Sequence, residues 1–172
     1  MATKIEILDS TLRDGAQARG ISYSLHDKLQ MVALLDSLGV DYIEAGNPAS
    51  NPKERQFFEE AAALSLRATL VAFGSTRRKD TDAAGDAGVA ALLSANTKTV
   101  AIFGKAWDLH ATEVLGTTLE NNLTMIRDTT AYLKAQGREV IFDAEHFFDG
   151  YAANPEYALS VLVAADEAGA DT

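Results

Sequence analysis

The chain has no cysteine and only three histidines, and both shortages limit its chemistry. Without cysteine there is no disulfide framework, no thiolate zinc site and no cysteine nucleophile. The histidines are His26, His110 and His146, and no His-x-His pair occurs. No apolar run approaches the roughly 20 residues that cross a bilayer, so no membrane association is expected. The first residues, Met1-Ala2-Thr3-Lys4, lack the apolar centre of a signal peptide, which predicts a cytoplasmic protein. Positive charge is scarce too: 15 Lys and Arg face 25 Asp and Glu, a formal net charge of -10. A nucleic-acid partner needs a basic footprint, so none is expected. What the chain does have is core material, with 47% hydrophobic residues in 172, enough for one domain.

Strand-like and helix-like runs alternate from end to end, the pattern of βα units around a parallel sheet. Strands are predicted at Lys4 to Leu8, Tyr42 to Ala45, Thr69 to Phe73, Thr99 to Phe103 and Glu139 to Phe142. The first helix opens near Leu25 on a Ser24/Asp27 capping box, carries Leu25, Leu29, Val32, Leu35 and Leu38 as an apolar stripe, and stops at Gly39. Asn51-Pro52 caps the second, with Phe57, Ala61 and Leu64 at helical spacing. A third is predicted over Asp80 to Ala95. Thr117 and Glu120 read as a capping box for a fourth that ends before Gly137, and Asn154-Pro155 opens a last one running to Gly169.

Five βα units result. The order Leu38-Gly39-Val40-Asp41, which leads into the second strand, is echoed by Ala168-Gly169-Ala170-Asp171 before Thr172. The expected fold is therefore α/β, a partial (β/α)8 (TIM) barrel with about five βα units, and residues 1-172 are expected to be a truncated N-terminal portion of a catalytic barrel domain. A complete five-stranded open sheet is the alternative. Five strands leave two sheet edges, which are templates for association.

In such folds the sites lie at the carboxyl ends of the strands. After the first strand comes Asp9-Ser10-Thr11-Leu12-Arg13-Asp14-Gly15-Ala16-Gln17, which puts a guanidinium beside a carboxylate. An arginine can grip a carboxylate or polarise a carbonyl through paired donors, and an aspartate can ligate a hard divalent cation. Standing alone, the segment would read as a surface Arg-Asp pair. Glu145 and His146 follow the fifth strand and could equally be a solvated loop pair. Arg77-Arg78-Lys79 is either a solvated charge run or a set of candidate phosphate contacts.

The first of these segments closely resembles the D-T-T-L-R-D-G-x-Q signature of the Claisen-condensing family that holds isopropylmalate, homocitrate and citramalate synthases. The resemblance continues through Asp41-Tyr42-Ile43-Glu44, Phe73 to Lys79, Phe103 to His110 and Phe142 to Gly150, blocks more similar to the citramalate branch. It implies a metal-dependent acyltransferase of branched-chain amino acid biosynthesis that condenses acetyl-CoA with pyruvate. It also implies that Arg13 polarises the keto-acid carbonyl and that Asp14 binds the metal, whether Zn, Mn or Mg. Gln17, Glu44 and His110 would line the keto-acid site, and Glu145 would be the second catalytic residue. If Arg77, Arg78 and Lys79 are not a solvated charge run, their residue types make them candidate contacts for the phosphates of coenzyme A, and the protein is expected to be a homo-oligomer.

In the family a later His-x-His pair completes the metal site. Its absence here predicts weak or no metal binding and no activity for this chain alone. The remaining alternatives are a larger keto acid in the same site, as in isopropylmalate or homocitrate synthase, an acyl-CoA lyase on the same barrel, and a catalytically inactive structural fragment.

Overall fold

The computed structural model describes residues 5–172. Its strands are β1 (Leu8–Asp9), β2 (Tyr42–Gly46), β3 (Thr69–Ser75), β4 (Thr99–Lys105) and β5 (Glu139–Glu145). They pair in the order β1-β2-β3-β4-β5, every pair parallel. The helices are α1 (Leu25–Leu38), α2 (Pro52–Ala61), α3 (Ala87–Ser94), α4 (Leu119–Ala135), α5 (Phe147–Ala153) and α6 (Pro155–Glu167). The sheet advances one place with each unit and never reverses, as a barrel requires and a doubly wound sheet does not. Among the described residues, no helix is long and apolar enough to cross a membrane.

Two kinds of apolar packing distinguish the faces of the sheet. On one, strand residues such as Ile43, Val100 and Val140 pack with Val32 and Leu35 of α1, Phe57 of α2, Leu92 of α3 and Leu133 of α4. On the other, Val71, Phe73 and Ala101 cluster with Tyr42, Phe103 and Ile141, all of them strand residues. The helices thus cover one face, and the other is the concave interior of a part-barrel.

Most predicted elements are present, with instructive differences at their ends. Strand pairing is seen only at Leu8–Asp9 in β1, although the Ile7 carbonyl also accepts from Asp41 and Tyr42; Lys4 lies outside the described residues. The capping box of α1 is formed, Ser24 Oγ accepting from the Asp27 N–H and Asp27 Oδ2 from the Ser24 N–H. Its stripe is not the one expected: Leu38 is 71% exposed, whereas Lys28 is 2% exposed. Helix α2 ends at Ala61, and Leu64 lies in a tightened turn whose N–H bonds the Ala61 carbonyl.

The third helix is shorter than its alanine-rich sequence suggests. Asp82 accepts from the Gly85 N–H and Asp86 from those of Gly88 and Val89, so side chains take up the amides that an earlier helical start would need. Helix α4 is capped by Thr118, whose hydroxyl accepts from the Asn121 N–H, while Thr117 bonds the Asn121 side chain instead. The short α5, a 3-10 turn at Gly15–Gln17 and a π-helical turn at His110–Val114 were not foreseen.

Strands β3, β4 and β5 each run on past the predicted end, to Ser75, Lys105 and Glu145. Glycines and charges there read as loop, but the ladder continues through Ser75↔Phe103 and Lys105↔Glu145. Gly104 allows this because a Cβ there would stand 2.8 Å from the Phe142 ring.

The repeated Gly-x-Asp has one structural meaning. After α1, Gly39 turns at φ +84, the Asp41 and Tyr42 N–H groups bond the Ile7 carbonyl, and Asp41 Oδ2 accepts from the Ile7 N–H at 2.9 Å. After α6, Gly169 turns at φ +95, Asp171 and Thr172 bond the Val140 carbonyl, and Asp171 Oδ2 accepts from the Val140 N–H at 2.7 Å. The same three bonds seat the chain against the preceding strand at both places.

Candidate active site

Turn geometry brings Arg13 over the concave face. Asp9 closes β1 and accepts from the N–H and hydroxyl of Thr11, the N–H groups of Arg13 and Gly15 both bond the Ser10 carbonyl, and Leu12 is buried as an anchor. The Arg13 side chain, 20% exposed, donates from Nε to Glu44 Oε2 at 2.6 Å and from Nη1 to Asp14 at 3.1 Å. Its guanidinium lies 4.1 Å from the Phe73 ring centroid, a cation–π contact. Phe73 in turn stacks on Phe103 at 5.5 Å. Nη2 is left without a hydrogen-bond partner among the described residues, free to address a carbonyl or carboxylate oxygen.

A second ion pair crosses the mouth one layer up. Lys105 and Glu145, the last residues of β4 and β5, are register partners and form a short ion pair. The Lys105 backbone is pinned from beneath, its carbonyl accepting from the buried Asn122 amide, which also donates to the Tyr157 hydroxyl. Asp143 lies two residues before Glu145 and so on the same concave face. Burial pushes the Asp143 carboxyl above the usual aspartate range, Glu145 and Asp14 add to the push, and Arg13 opposes it. Burial likewise raises the Glu44 carboxyl against the pull of Arg13.

The structure therefore joins Arg13, Asp14, Glu44 and Glu145 at one mouth. Gln17 is exposed at the end of the 3-10 turn. His110 sits in the π-helical turn, its ring 4.8 Å from Trp107 and 4.6 Å from His146, with a buried Nδ1 that finds no hydrogen-bond partner among the described residues. Single π turns of this kind recur at functional sites. His146 takes a left-handed backbone, φ 58, directly after Glu145.

The basic run does not act as one unit. Arg77 is consumed by the fold: its side chain is 7% exposed, binds Asp128 through Nε and Nη2, and donates from Nη1 to the carbonyls of Arg78 and Thr81. Four of its five N–H donors are thereby engaged within the fold, so it has less to offer a phosphate than its neighbours in the run. Arg78 is exposed, and Lys79 donates to the Gly116 carbonyl from the surface. Both line a cleft of roughly 420 Å³, together with Arg77, Lys105 and an apolar wall of Phe103, Val114, Leu115 and Met125.

Lys105, Asp143, Phe73 and Phe103 were not named as site residues by sequence. Their signal was alternation: Phe73/Ser75, Phe103/Lys105 and Asp143/Glu145 are i, i+2 pairs on one strand face. It was hidden because the strands had been ended too early.

A divalent cation is a separate question. Among the described residues, no three His, Cys, Asp or Glu side chains form a group that could hold a metal ion. Asp14, 66% exposed and bonded to Arg13, offers one carboxylate. Hard cations take six or more oxygen donors, several of them from the protein or substrate, so these residues do not fit a resident ion by themselves.

Comparison with known proteins follows the same lines. A family model described as HMGL-like matches residues 4–172. The chain is 55% identical over 172 residues to an (R)-citramalate synthase of Aquifex aeolicus, covering 99% of this chain and 33% of that protein. It is 50% identical to an (R)-citramalate synthase of Sulfolobus acidocaldarius, again over 99% of this chain and 33% of that one. The chain thus spans about a third of the length of the curated relatives it matches. Among solved structures, hydroxymethylglutaryl-CoA lyase from Pseudomonas aeruginosa superposes with a TM-score of 0.73 at 21% identity, over 97% of this chain and 55% of that one, which bears on the fold alone.

Proposed function

The chain belongs to the HMGL-like family, and on that premise we propose that it forms the first five βα units of a citramalate synthase barrel. The enzyme would condense acetyl-CoA with pyruvate. One observation carries the reading: Arg13, fixed by Glu44 and Phe73 over the concave face, keeps a free donor at the place where a keto acid would enter. The likeness to two named citramalate synthases supplies the substrate class.

The chemistry follows from those residues. A base takes a proton from the acetyl methyl group, which is a weak acid, and the resulting enolate carbon attacks the keto carbon of pyruvate. A carbon–carbon bond forms, and the keto oxygen becomes an alkoxide that takes up a proton. Arg13 donates to that oxygen as its charge grows, an interaction stronger in the transition state than before it. Water then adds to the thioester carbonyl, the carbon–sulfur bond breaks, and coenzyme A leaves as the thiol. Glu145, paired with Lys105, would be the carboxylate that binds or moves a proton at the mouth.

Arg78 and Lys79, on the rim of the cleft, would meet the coenzyme A phosphates, its apolar wall would lie along the pantetheine arm, and Lys105 would mark the thioester end. Gln17 and His110 would contact the keto acid from the surrounding loops. Enzymes of this family generally depend on a divalent metal, and Asp14 is this chain's candidate ligand. No step is assigned to an ion here, because the donor set described does not make a site.

The test is to incubate the full-length protein with acetyl-CoA and a keto acid, follow free thiol, and identify the product by mass spectrometry. Thiol release with pyruvate and citramalate as product are expected. Preference for 2-oxoisovalerate or 2-oxoglutarate would overturn the pyruvate assignment, and cleavage of a hydroxyacyl-CoA without condensation would replace the synthase by a lyase.

A further inference from the structure

A buried ion pair outside the mouth lies one peptide away from the carboxylate that holds Arg13. Lys28, on α1, is 2% exposed, and its Nζ donates to the Ala45 carbonyl at 2.7 Å and to Glu54 Oε2 at 2.6 Å. The Phe57 ring centroid is 4.5 Å away. Glu54, on α2, is 9% exposed. The pair packs so tightly against the end of β2 that a side chain at Gly46, φ +135, would collide with the Glu54 carboxylate.

Stability alone is a weak reason for such a pair. Lys28 occupies a core position of α1, and burying two charges costs several kcal/mol per ion, so well-packed apolar replacements are often neutral or better. What the pair grips is a bulge. The β2–β3 register passes from Glu44↔Val71 to Gly46↔Ala72 and skips Ala45. Side chains alternate between sheet faces, so one extra residue decides which way the strand end points. Ala45 is wholly buried, its carbonyl turned to Lys28, and the preceding Glu44 reaches Arg13 across the concave face.

We propose that Lys28 and Glu54 are positioning residues for Arg13: Lys28 holds the Ala45 carbonyl, Glu54 holds Lys28, and together they fix the β2 bulge that keeps Glu44 on the guanidinium. The inference rests on the proposed function for the catalytic value of Arg13, though not for the contact itself. It predicts that the network acts through geometry, from α1 and α2 through one backbone carbonyl to one arginine.

The test uses the 172-residue chain with nitrogen-15-labelled arginine and reads the Arg13 Nε–H resonance, identified by its displacement in Glu44→Gln. The proton bonded to a carboxylate in the wild type lies downfield of that position. Lys28→Met with Glu54→Leu removes both charges at similar volume. It is expected to retain the urea midpoint and to move the Arg13 resonance more than half way to its Glu44→Gln position. Leu133→Ala, which opens a cavity in the wholly buried core of α4, is expected to lower the midpoint and leave the resonance in place. An unmoved resonance in the folded double variant overturns the proposal, and so does equal movement in Leu133→Ala, because lost stability alone would then explain it. If the double variant does not fold, Glu54→Gln decides: movement in the same direction supports the proposal, and an unmoved signal overturns it. Since the readout is a contact and not turnover, a shifted resonance beside a full-length enzyme that makes no citramalate would refute the proposed function only.

Discussion

The carboxylates at the two ends of the sheet behave in opposite ways. At the amino end, Asp36 is held below the usual aspartate range by the Ala68 and Arg67 N–H groups, and Asp171 by Lys134 and the Val140 N–H. At the carboxyl end, burial raises Glu44 and Asp143. The residue types are similar, so the difference is one of partners. At the foot each acid satisfies backbone amides that would otherwise end a strand or helix unpaired. At the mouth the acids are drawn together over a concave surface and compete for Arg13 and Lys105. The foot is arranged for folding, whereas the mouth buries carboxylates at a cost that folding alone would not select.

The largest test of that division is Arg13→Gln in the full-length enzyme. Loss of a donor to the developing alkoxide is expected to lower kcat by roughly 10²- to 10³-fold. The unfolding midpoint of the 172-residue chain is expected to stay close to wild type; a large loss of stability with activity retained would put Arg13 on the side of the foot. Next in size is Lys105→Met. Freeing Glu145 from its ion pair is expected to reduce kcat/KM by roughly ten- to a hundredfold, about 1.4–2.7 kcal/mol of transition-state stabilisation. Little change in the melting curve should accompany it.

At the foot, Gly39→Ala and Gly169→Ala force a side chain into the left-handed turn and are each expected to lower stability by about 1–2 kcal/mol. Equal losses, measured by urea unfolding, would confirm that the two Gly-x-Asp turns are one device used twice; very unequal losses would break the equivalence. The smallest effect is in pH. Asp36 and Asp171 have depressed folded pKa values, so their stabilisation is present above the ordinary aspartate pKa and is lost as pH falls through the folded values. Glu44 and Asp143 have raised folded values, so their contribution runs the other way, stability falling as pH rises from the ordinary carboxylate range to those values. Urea midpoints of Asp171→Asn between mildly acid and neutral pH should show a shallower acid limb than wild type, and Glu44→Gln should remove part of the decline above it.

Local sequence carried much of this. The βα alternation, the Ser24/Asp27 box, the Asn51-Pro52 and Asn154-Pro155 starts and the Gly39 and Gly169 stops were readable because caps and turns are made by neighbours in the chain. The Arg13-Asp14 pair was readable because its chemistry lies in adjacent residues. Glu44 and Glu145 were placed by resemblance, and their partners were not foreseen.

What the chain order by itself determined was the set of elements, their sequence and which ends of the strands would carry polar residues. Tertiary structure alone decided that Arg77 is spent on Asp128, that Lys105 faces Glu145, that Asp143 joins them, and that Lys28, on a helical stripe otherwise made of leucine and valine, is buried beneath β2. The three ion pairs join residues 26, 40 and 51 positions apart, and Asp143 meets the field of Arg13 from the other end of the sheet, where burial and register, which no local spacing records, set which charge finds a partner.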